Sequence, residues 1–236
     1  MIVSASYRTD LPAFHGAWFL NRLRAEEAWV RNPYGGRPYR VSLAPAEVDG
    51  FVFWTRNNAP FAAALSTVEA AAIPYVVQYT ITGYPLALES GVPPAAHAAT
   101  QIARIAARRG RAVTVWRYDP ILFTSLTPPE WHRRNFASLA GMLAPFTDEV
   151  TVSFANIYRK TARNLALAAR RHGFEWRDPA PDERREFLAG LAEIADGHGL
   201  RLTVCSQPDL EQPGVAGAAC IDAARLSRVS GRAIRA

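Results

Sequence analysis

The clearest candidate chemistry in the sequence follows the apolar run 112–116, where a cation and a carboxylate stand two positions apart. Arg117 and Asp119 would point to the same side of a pleated strand if the strand continued that far. A guanidinium there could orient an anionic substrate, and the carboxylate could accept a proton. Trp116 and Arg117 are therefore candidates for substrate binding, and Asp119 is a candidate catalytic residue. The alternative is an internal ion pair that fixes the loop before Pro120.

Several other apolar runs end in the same mixture of cations, aromatic rings and polar groups. The further candidates for substrate binding at such ends are Arg8, Asp10, Trp54, Arg56, Asn57, Gln78, Tyr158 and Arg159. Arg56 and Asn57 could bind a carboxylate or a phosphate, with an ordinary surface role as the alternative. Asp10 could instead cap the helix that follows it, which would leave Arg8 unexplained.

The 27 basic residues of the chain include a single lysine, Lys160. A lysine kept in so arginine-rich a chain is a candidate catalytic residue, because a guanidinium cannot replace a titratable ammonium group. Lys160 could form a Schiff base with a carbonyl compound if burial lowers its pKa. It also stands with Tyr158 and Arg159 just before a predicted helix, whose first amide groups favour a phosphate. Chance retention on the surface is the alternative.

The two cysteines of the sequence, Cys205 and Cys220, are candidate metal ligands, with His198 seven positions before the first. Their spacing matches no tight metal motif, so a role as small buried hydrophobic residues is the alternative. Two cysteines are too few for a disulfide framework, which suits a reducing compartment.

Common catalytic motifs are missing from the sequence. It contains no nucleophile elbow, no phosphate-binding loop, no dinucleotide-binding glycine motif and no H-E-x-x-H zinc motif. These absences disfavour hydrolases of the triad type, nucleoside triphosphatases and zinc proteases.

Six apolar runs are predicted strands, and they alternate with predicted helices. The strands lie at 2–6, 51–54, 75–82, 112–116, 150–154 and 200–204. Such alternation is typical of parallel pairing, which brings the carboxyl ends of the strands to one edge. We therefore predict an α/β fold, a single-domain TIM-barrel-like partial (β/α)6 barrel over residues 1–231. A small β-hairpin insertion is predicted around the turn at 32–36, and a frayed or truncated tail at 232–236.

Composition indicates a globular protein, since 49% of the 236 residues are hydrophobic and 20% are charged. The sequence shows no leader and no apolar run of the length that a membrane span needs, so a cytoplasmic protein without a membrane partner is expected. The net charge of +6 also permits a nucleic-acid partner, although the cations are spread over the predicted helices.

Taken together, the strand-end blocks resemble those of a bacterial family, the domain of unknown function 1848. The blocks are Ser4-Ala5-Ser6, Phe53-Trp54-Thr55-Arg56-Asn57, Trp116-Arg117-Tyr118-Asp119-Pro120 and Tyr158-Arg159-Lys160. Longer members of that family end in a C-x-x-x-C-x-x-C tail similar to that of radical S-adenosylmethionine enzymes. The resemblance implies a six-stranded barrel in which three thiolates hold a four-iron cluster.

The sequence departs from that family at its carboxyl end. It stops at Ala236 without such a tail, so an iron–sulfur cluster and S-adenosylmethionine are expected only in a longer form. Either the chain lacks the end of a longer protein, or it is a shortened member with different chemistry. In a longer form, Cys205 and Cys220 could join tail cysteines in a second cluster or a zinc site.

Three functional hypotheses remain open, the third being a catalytically silent remnant that binds a partner through its carboxyl end. The first is an enzyme resembling radical S-adenosylmethionine proteins, with an arginine-lined pocket for an anionic small molecule at the carboxyl ends of the strands. The second is a nucleic-acid-binding or DNA-repair-associated module, in which the aromatic rings next to arginines, Trp54 near Arg56 and Trp116 beside Arg117, stack on bases.

Overall fold

The computed structural model describes residues 1–6, 9–32 and 34–235. The strands are β1 (Ile2–Ser4), β2 (Glu27–Val30), β3 (Tyr39–Ser42), β4 (Gly50–Thr55), β5 (Tyr75–Thr80), β6 (Thr114–Ile121), β7 (Phe123–Thr124), β8 (Glu149–Phe154), β9 (Trp176–Arg177), β10 (Arg201–Val204) and β11 (Ala216–Gly217). The helices are α1 (Leu11–Phe14), α2 (Gly16–Arg24), α3 (Ala62–Ala70), α4 (Ala95–Arg109), α5 (Pro129–Leu143), α6 (Arg159–His172), α7 (Pro181–Gly197) and α8 (Ala223–Ser230). None of the helices in these ranges has the length and hydropathy of a membrane span.

Seven strands form one parallel sheet in the order β1-β4-β5-β6-β8-β10-β11. All six predicted strands belong to it, in the order in which they follow one another along the chain, so the α/β prediction is confirmed. The barrel is not confirmed. Closure requires pairing between the first and the last strand, and among the described residues β1 pairs with β4 while β11 pairs with β10. The last strand, β11, contributes only two residues to the sheet.

One predicted element is confirmed, and another has different bounds. The hairpin insertion is confirmed, with β2 and β3 antiparallel and Glu27 opposite Ser42. The fourth predicted strand was placed at 112–116, but β6 begins at Thr114 and continues to Ile121. Pairing with β8 extends it, since Trp116 lies opposite Val150 and the register shifts only after Tyr118. The candidate residues on β6 therefore lie within the strand instead of following it, with Trp116 and Arg117 near its middle and Asp119 in its carboxyl half.

Contacts divide the chain into two compact units, residues 1–78 with 221–236, and residues 79–220. The prediction of a single domain over 1–231 stays a prediction. In the first unit the core is an aromatic cluster in which Phe53 contacts Phe19 and Phe61, with ring centroids 5.4 and 5.0 Å away. In the predicted tail, the Ile234 amide donates to the Ser227 hydroxyl on α8 over 2.9 Å.

In the second unit, one face of β6 is buried against α5. Trp116 stacks on Phe136 at 5.0 Å between centroids, and its indole N–H donates to the Ile81 carbonyl over 2.8 Å. The Tyr118 hydroxyl lies 2.7 Å from Nδ1 of His132. Burial lowers the pKa of His132 to about 4, so this imidazole is neutral at physiological pH. Because side chains alternate along a strand, the opposite face of β6 carries Arg117 and Asp119.

Candidate functional site

The face of the sheet opposite that aromatic core is polar along three adjacent strands of the second unit. The register aligns Arg117 of β6 with Thr151 of β8, and Thr151 with Thr203 of β10. The next positions on the same face, toward the carboxyl ends, are Asp119 on β6, Ser153 on β8 and Cys205 directly after β10. Two rows of polar side chains therefore cross this face of the sheet, the first within the strands and the second nearer their carboxyl ends.

Arg117 and Asp119 form an almost buried ion pair, with side-chain exposures of 6% and 21%. Both Nε and Nη2 of the guanidinium donate to Oδ2 of Asp119, the former over 3.1 Å. Burial alone lowers the pKa of Arg117, but the Asp119 charge and hydrogen bonds to Asp119 and Cys205 outweigh it and raise the pKa above its ordinary value. The guanidinium therefore stays charged inside the site.

Asp119 is held from the neighbouring strand as well, because the Ser153 hydroxyl donates to its Oδ1. Both carboxylate oxygens of Asp119 thus accept hydrogen bonds from within the protein. Ser153 was not among the predicted site residues. Alternation along β8 together with the pairing of β6 and β8 would have identified it, but the pairing could not be deduced from the sequence.

Cys205 and Cys220 meet beside this pair, with their Sγ atoms 3.2 Å apart. Both are half-buried free thiols. The Cys205 amide donates to the Val152 carbonyl over 2.9 Å, which continues the β10 pairing by one residue. β11 pairs in parallel with β10, and the Ala218 amide donates to the Val204 carbonyl over 2.9 Å. The segment after β11 therefore runs beside the end of β10, which brings Cys220 to Cys205.

The guanidinium of Arg117 contacts both sulfur atoms and changes their acidity. Its Nη1 lies 3.9 Å from Sγ of Cys220. Hydrogen bonds from Cys220, Arg117 and Ser206 lower the pKa of Cys205 to about 5 although burial opposes them. The hydrogen bond to Cys205 and burial raise the pKa of Cys220. Negative charge in the pair therefore favours Cys205, and the proton favours Cys220.

The turn after Cys205 is held by a residue that the sequence did not indicate, Gln207. Its Oε1 accepts from the Phe154 amide over 2.8 Å and its Nε2 donates to the Phe154 carbonyl over 3.2 Å, so a side chain takes the place of a paired strand at the end of β8. Ser206 lies in the left-handed region, with φ 56°. No feature of the sequence around Gln207 predicts this contact, because it depends on the spatial neighbour Phe154.

Trp116 and Gln78, two of the predicted substrate-binding residues, are buried. Trp116 has no exposed surface and Gln78 is 3% exposed. Trp116 packs in the core of the second unit, on the face of β6 opposite Arg117, so its described position supports the strand and offers no ring face to a ligand.

The predicted residues of the first unit lie near the end of β4. Asp10 caps α1, since its Oδ1 accepts from the Ala13 amide over 2.9 Å, and its Oδ2 accepts from the backbone amide of Arg56 over 2.7 Å. Trp54 donates its indole N–H to Ser4 over 3.1 Å, and Asn57 accepts from the Ala59 amide over 3.1 Å. Capping thus accounts for Asp10.

Arg8, the other predicted residue near the amino end, lies outside the described residues.

Tyr158, Arg159 and Lys160 lie at the start of α6, and all three are exposed. The burial that a Schiff-base lysine requires is therefore missing at Lys160. The whole of α6 lies within the described residues, and none of them is buried.

A metal or cluster requires more ligands than the two thiols provide. Within residues 1–6, 9–32 and 34–235, no three histidine, cysteine or acidic side chains converge as a metal site. A four-iron cluster of the radical S-adenosylmethionine type needs three thiolates, and the sequence contains two cysteines. The residues present therefore do not fit that cluster.

In a comparison with known families, the family described as Domain of unknown function (DUF1848) matches residues 2–236. Comparison with curated proteins found no match, and neither did comparison with solved structures.

Proposed function

This chain belongs to the domain of unknown function 1848 family, and on that premise we propose that it is an enzyme, or the α/β part of one, that acts on an anionic small molecule beside Arg117 and Asp119. The observation that carries the proposal is the ion pair between these two residues on a central parallel strand, with two thiols next to it. In parallel α/β folds, the carboxyl ends of the strands are where ligands bind.

The energetics of the pair support a functional role. Removing two charges from water costs several kcal/mol per ion, and an apolar pair of similar volume often serves stability as well or better. An ion pair at 6% and 21% side-chain exposure is therefore weak evidence for a structural role. A charged group whose pKa is shifted by its surroundings, as that of Arg117 is, is instead typical of functional sites.

The proposed roles follow from the hydrogen bonds. Arg117 and Asp119 neutralise each other, so an incoming anion competes with Asp119 for the guanidinium. Once the anion displaces Oδ2 of Asp119 from the guanidinium, that carboxylate oxygen can accept a proton from the substrate. Ser153 still donates to Oδ1 of Asp119. The Cys205 thiolate lies beside the same guanidinium and would face the bound molecule.

The test is a binding screen followed by variants. Wild-type protein is titrated with small phosphate esters and dicarboxylates, and a ligand is recognised by its increase in melting temperature. Arg117→Gln should lose the increase, whereas Asp119→Asn should keep it because the guanidinium remains. Arg177→Gln is the matched control, since Arg177 belongs to an exposed pair with Glu183. Equal binding by Arg117→Gln and wild type would contradict the proposal.

An iron–sulfur cluster with S-adenosylmethionine is proposed only for a longer form that supplies three further cysteines. For the chain in hand, anaerobic reconstitution with iron and sulfide should leave no visible absorption above that of the Cys205→Ser/Cys220→Ser variant. A stable brown species that depends on these two cysteines would contradict this expectation.

Nucleic-acid binding is the second candidate, and the composition of α6 favours it. The helix carries five cations and no acidic residue, namely Arg159, Lys160, Arg163, Arg170 and Arg171. Clustered cations bind phosphates by releasing counterions. Base stacking by Trp116 does not contribute, because that ring has no exposed surface.

Salt dependence tests this second candidate. For single-stranded DNA, each phosphate contact adds about 0.7 to the slope of log affinity against log salt. Arg170→Gln/Arg171→Gln should therefore reduce the slope by about 1.4 if both arginines contact phosphates. An unchanged slope, or no binding at low salt, would remove α6 as a nucleic-acid surface.

A further inference from the structure

We propose that Cys205 and Cys220 form a reversible dithiol–disulfide centre that exchanges with low-molecular-weight disulfides. The inference goes beyond the proposed function, because it requires neither an anionic substrate nor proton transfer by Asp119. It rests on the position of the two sulfur atoms, on their access to solvent and on the cation beside them.

The two sulfur atoms are already in contact. Their separation of 3.2 Å, between two thiols that are not bonded, leaves only a small movement to form a bond. The backbone fixes this approach, since the Cys205 amide is bonded to Val152 and the Ala218 amide to Val204. The two cysteines follow neighbouring strands of the same unit, Cys205 directly after β10 and Cys220 three residues after the end of β11, so the bond forms outside the strands and without rearranging the sheet.

Solvent access separates this pair from buried structural cysteines. Both thiols are half-buried, and the residue after Cys205, Ser206, is exposed. A small disulfide can therefore reach Cys205 from the side of the Ser206 turn. Exchange by thiol attack requires such access to at least one of the two sulfur atoms.

Arg117 favours attack by Cys205. The guanidinium is a hydrogen-bond partner of Cys205, and its Nη1 lies 3.9 Å from Cys220. The Ser206 hydroxyl lies 3.6 Å from the Cys205 sulfur. Negative charge on Cys205 thus has three neighbouring groups that can donate to it, namely Arg117, Ser206 and the Cys220 thiol. Cys220 is then the resolving residue.

The exchange balances as two displacements. Cys205 sulfur attacks one sulfur of the external disulfide, forms a mixed disulfide and releases one external thiolate. Cys220 then loses its proton to water, attacks the Cys205 sulfur and releases the second external thiolate. The protein loses two electrons to form the Cys205–Cys220 bond, and the external disulfide gains them as two thiolates, which take up from solvent the two protons that the cysteines released.

Redox titration of the whole chain tests the proposal. Reduced protein is equilibrated in buffers of reduced and oxidised glutathione with a chelator present, quenched with acid, alkylated and weighed by mass spectrometry. Both thiols should become protected together, as one step, with the mass of an internal disulfide. Independent alkylation of the two cysteines at every ratio, or protection only as stable glutathione adducts, would overturn the proposal.

Single variants then test the two roles. Cys220→Ser should accumulate a mixed disulfide on Cys205, whereas Cys205→Ser should react roughly tenfold or more slowly at Cys220. Ser227→Ala, on α8 in the other unit, serves as the matched control and should react like wild type. Equal rates for the two cysteine variants would overturn the assignment of Cys205 as the attacking residue. These readouts use no anionic substrate, so their failure and the failure of the proposed function are distinguishable.

Discussion

At the scale of single residues, Asp119 is the group whose removal most directly tests the buried ion pair. Asp119→Ala leaves Arg117 charged at 6% exposure without its main partner. We expect the free energy of unfolding to fall by about 3 kcal/mol, the lower end for a broken buried pair because Asp119 retains some exposure. Urea denaturation measures this loss. Asp178→Ala, in the more exposed pair with Arg184, should cost about 1 kcal/mol or less. Equal losses would show that burial of the Arg117 pair does not matter.

Cys205 supplies a pH-dependent prediction. Its pKa falls from an ordinary value of 9.0 to about 5 in the folded protein, mainly through the hydrogen bond from Cys220. Because the folded state binds the proton less tightly than the unfolded state, this group contributes stability above about pH 9 and loses it as the pH falls through about 5. The alkylation rate of Cys205 should therefore reach half its maximum near pH 5, measured by mass spectrometry. A midpoint near 9 would contradict the shift.

The residue scale also shows what the sequence could reveal. Arg117 and Asp119 were predicted as site residues from their types and spacing, and Cys205 was predicted from its type as a metal ligand; the structure brings the three side chains together. Ser153 was missed because its role depends on the pairing of β6 with β8. Lys160 was singled out by its uniqueness in composition, a property that carries no information about burial, and it is exposed.

At the scale of elements, Gln207 joins the turn after β10 to the end of β8. Gln207→Ala would leave the buried amide and carbonyl of Phe154 without that partner. We expect a loss of about 2 to 3 kcal/mol in the free energy of unfolding, since unsatisfied buried polar groups are costly. Gln212→Ala is the matched control, because Gln212 donates to the Arg185 carbonyl in an exposed position, and it should lose about 1 kcal/mol or less. Similar losses in both variants would contradict the argument.

The sequence predicted which strands exist better than it predicted where each strand begins and ends. Apolar runs bounded by turn residues predicted six of the seven strands of the parallel sheet. The Asn-Pro-Tyr-Gly-Gly turn predicted the hairpin of β2 and β3. The end of β6 was misplaced, because polar residues from Arg117 onward look like a loop in the sequence. They belong to a strand since the face they occupy is polar on β8 and β10 as well. A pattern within one strand cannot show this.

At the scale of the whole molecule, sequential order of six predicted strands was correct, whereas closure was not confirmed. The order follows from local alternation of strands and helices. Closure depends on long-range register and on the short strand β11, whose two residues have no recognisable strand pattern. The formal charge of +6 likewise says little by itself, because its distribution matters more: five cations lie on α6 alone.

Oxidation of Cys205 and Cys220 should change the stability of residues 79–220, the unit that contains both. A bond between them would close a loop of about 15 residues and remove unfolded conformations, which is worth about 3 kcal/mol in the chain-entropy estimate. Oxidised wild-type protein should therefore unfold at a higher urea concentration than the reduced protein. Strain in the disulfide-bonded protein would reduce this gain in stability. Loss of the interaction between Arg117 and the Cys205 thiolate on oxidation would reduce it further.

The comparison needs the Cys220→Ser variant, whose transition should not move when glutathione disulfide is replaced by a reducing agent and any adduct is removed. An increase in wild type alone shows that the bond, and no general effect of the redox buffer, stabilises the unit. If reduced and oxidised wild type unfold at the same urea concentration, one of two explanations holds. Either the loop from Cys205 to Cys220 is already ordered in the denatured ensemble, or strain that the bond causes in the folded sheet cancels its effect on the unfolded chain. In either case the entropic account of the bond would be wrong, although exchange itself would still be decided by the mass measurement.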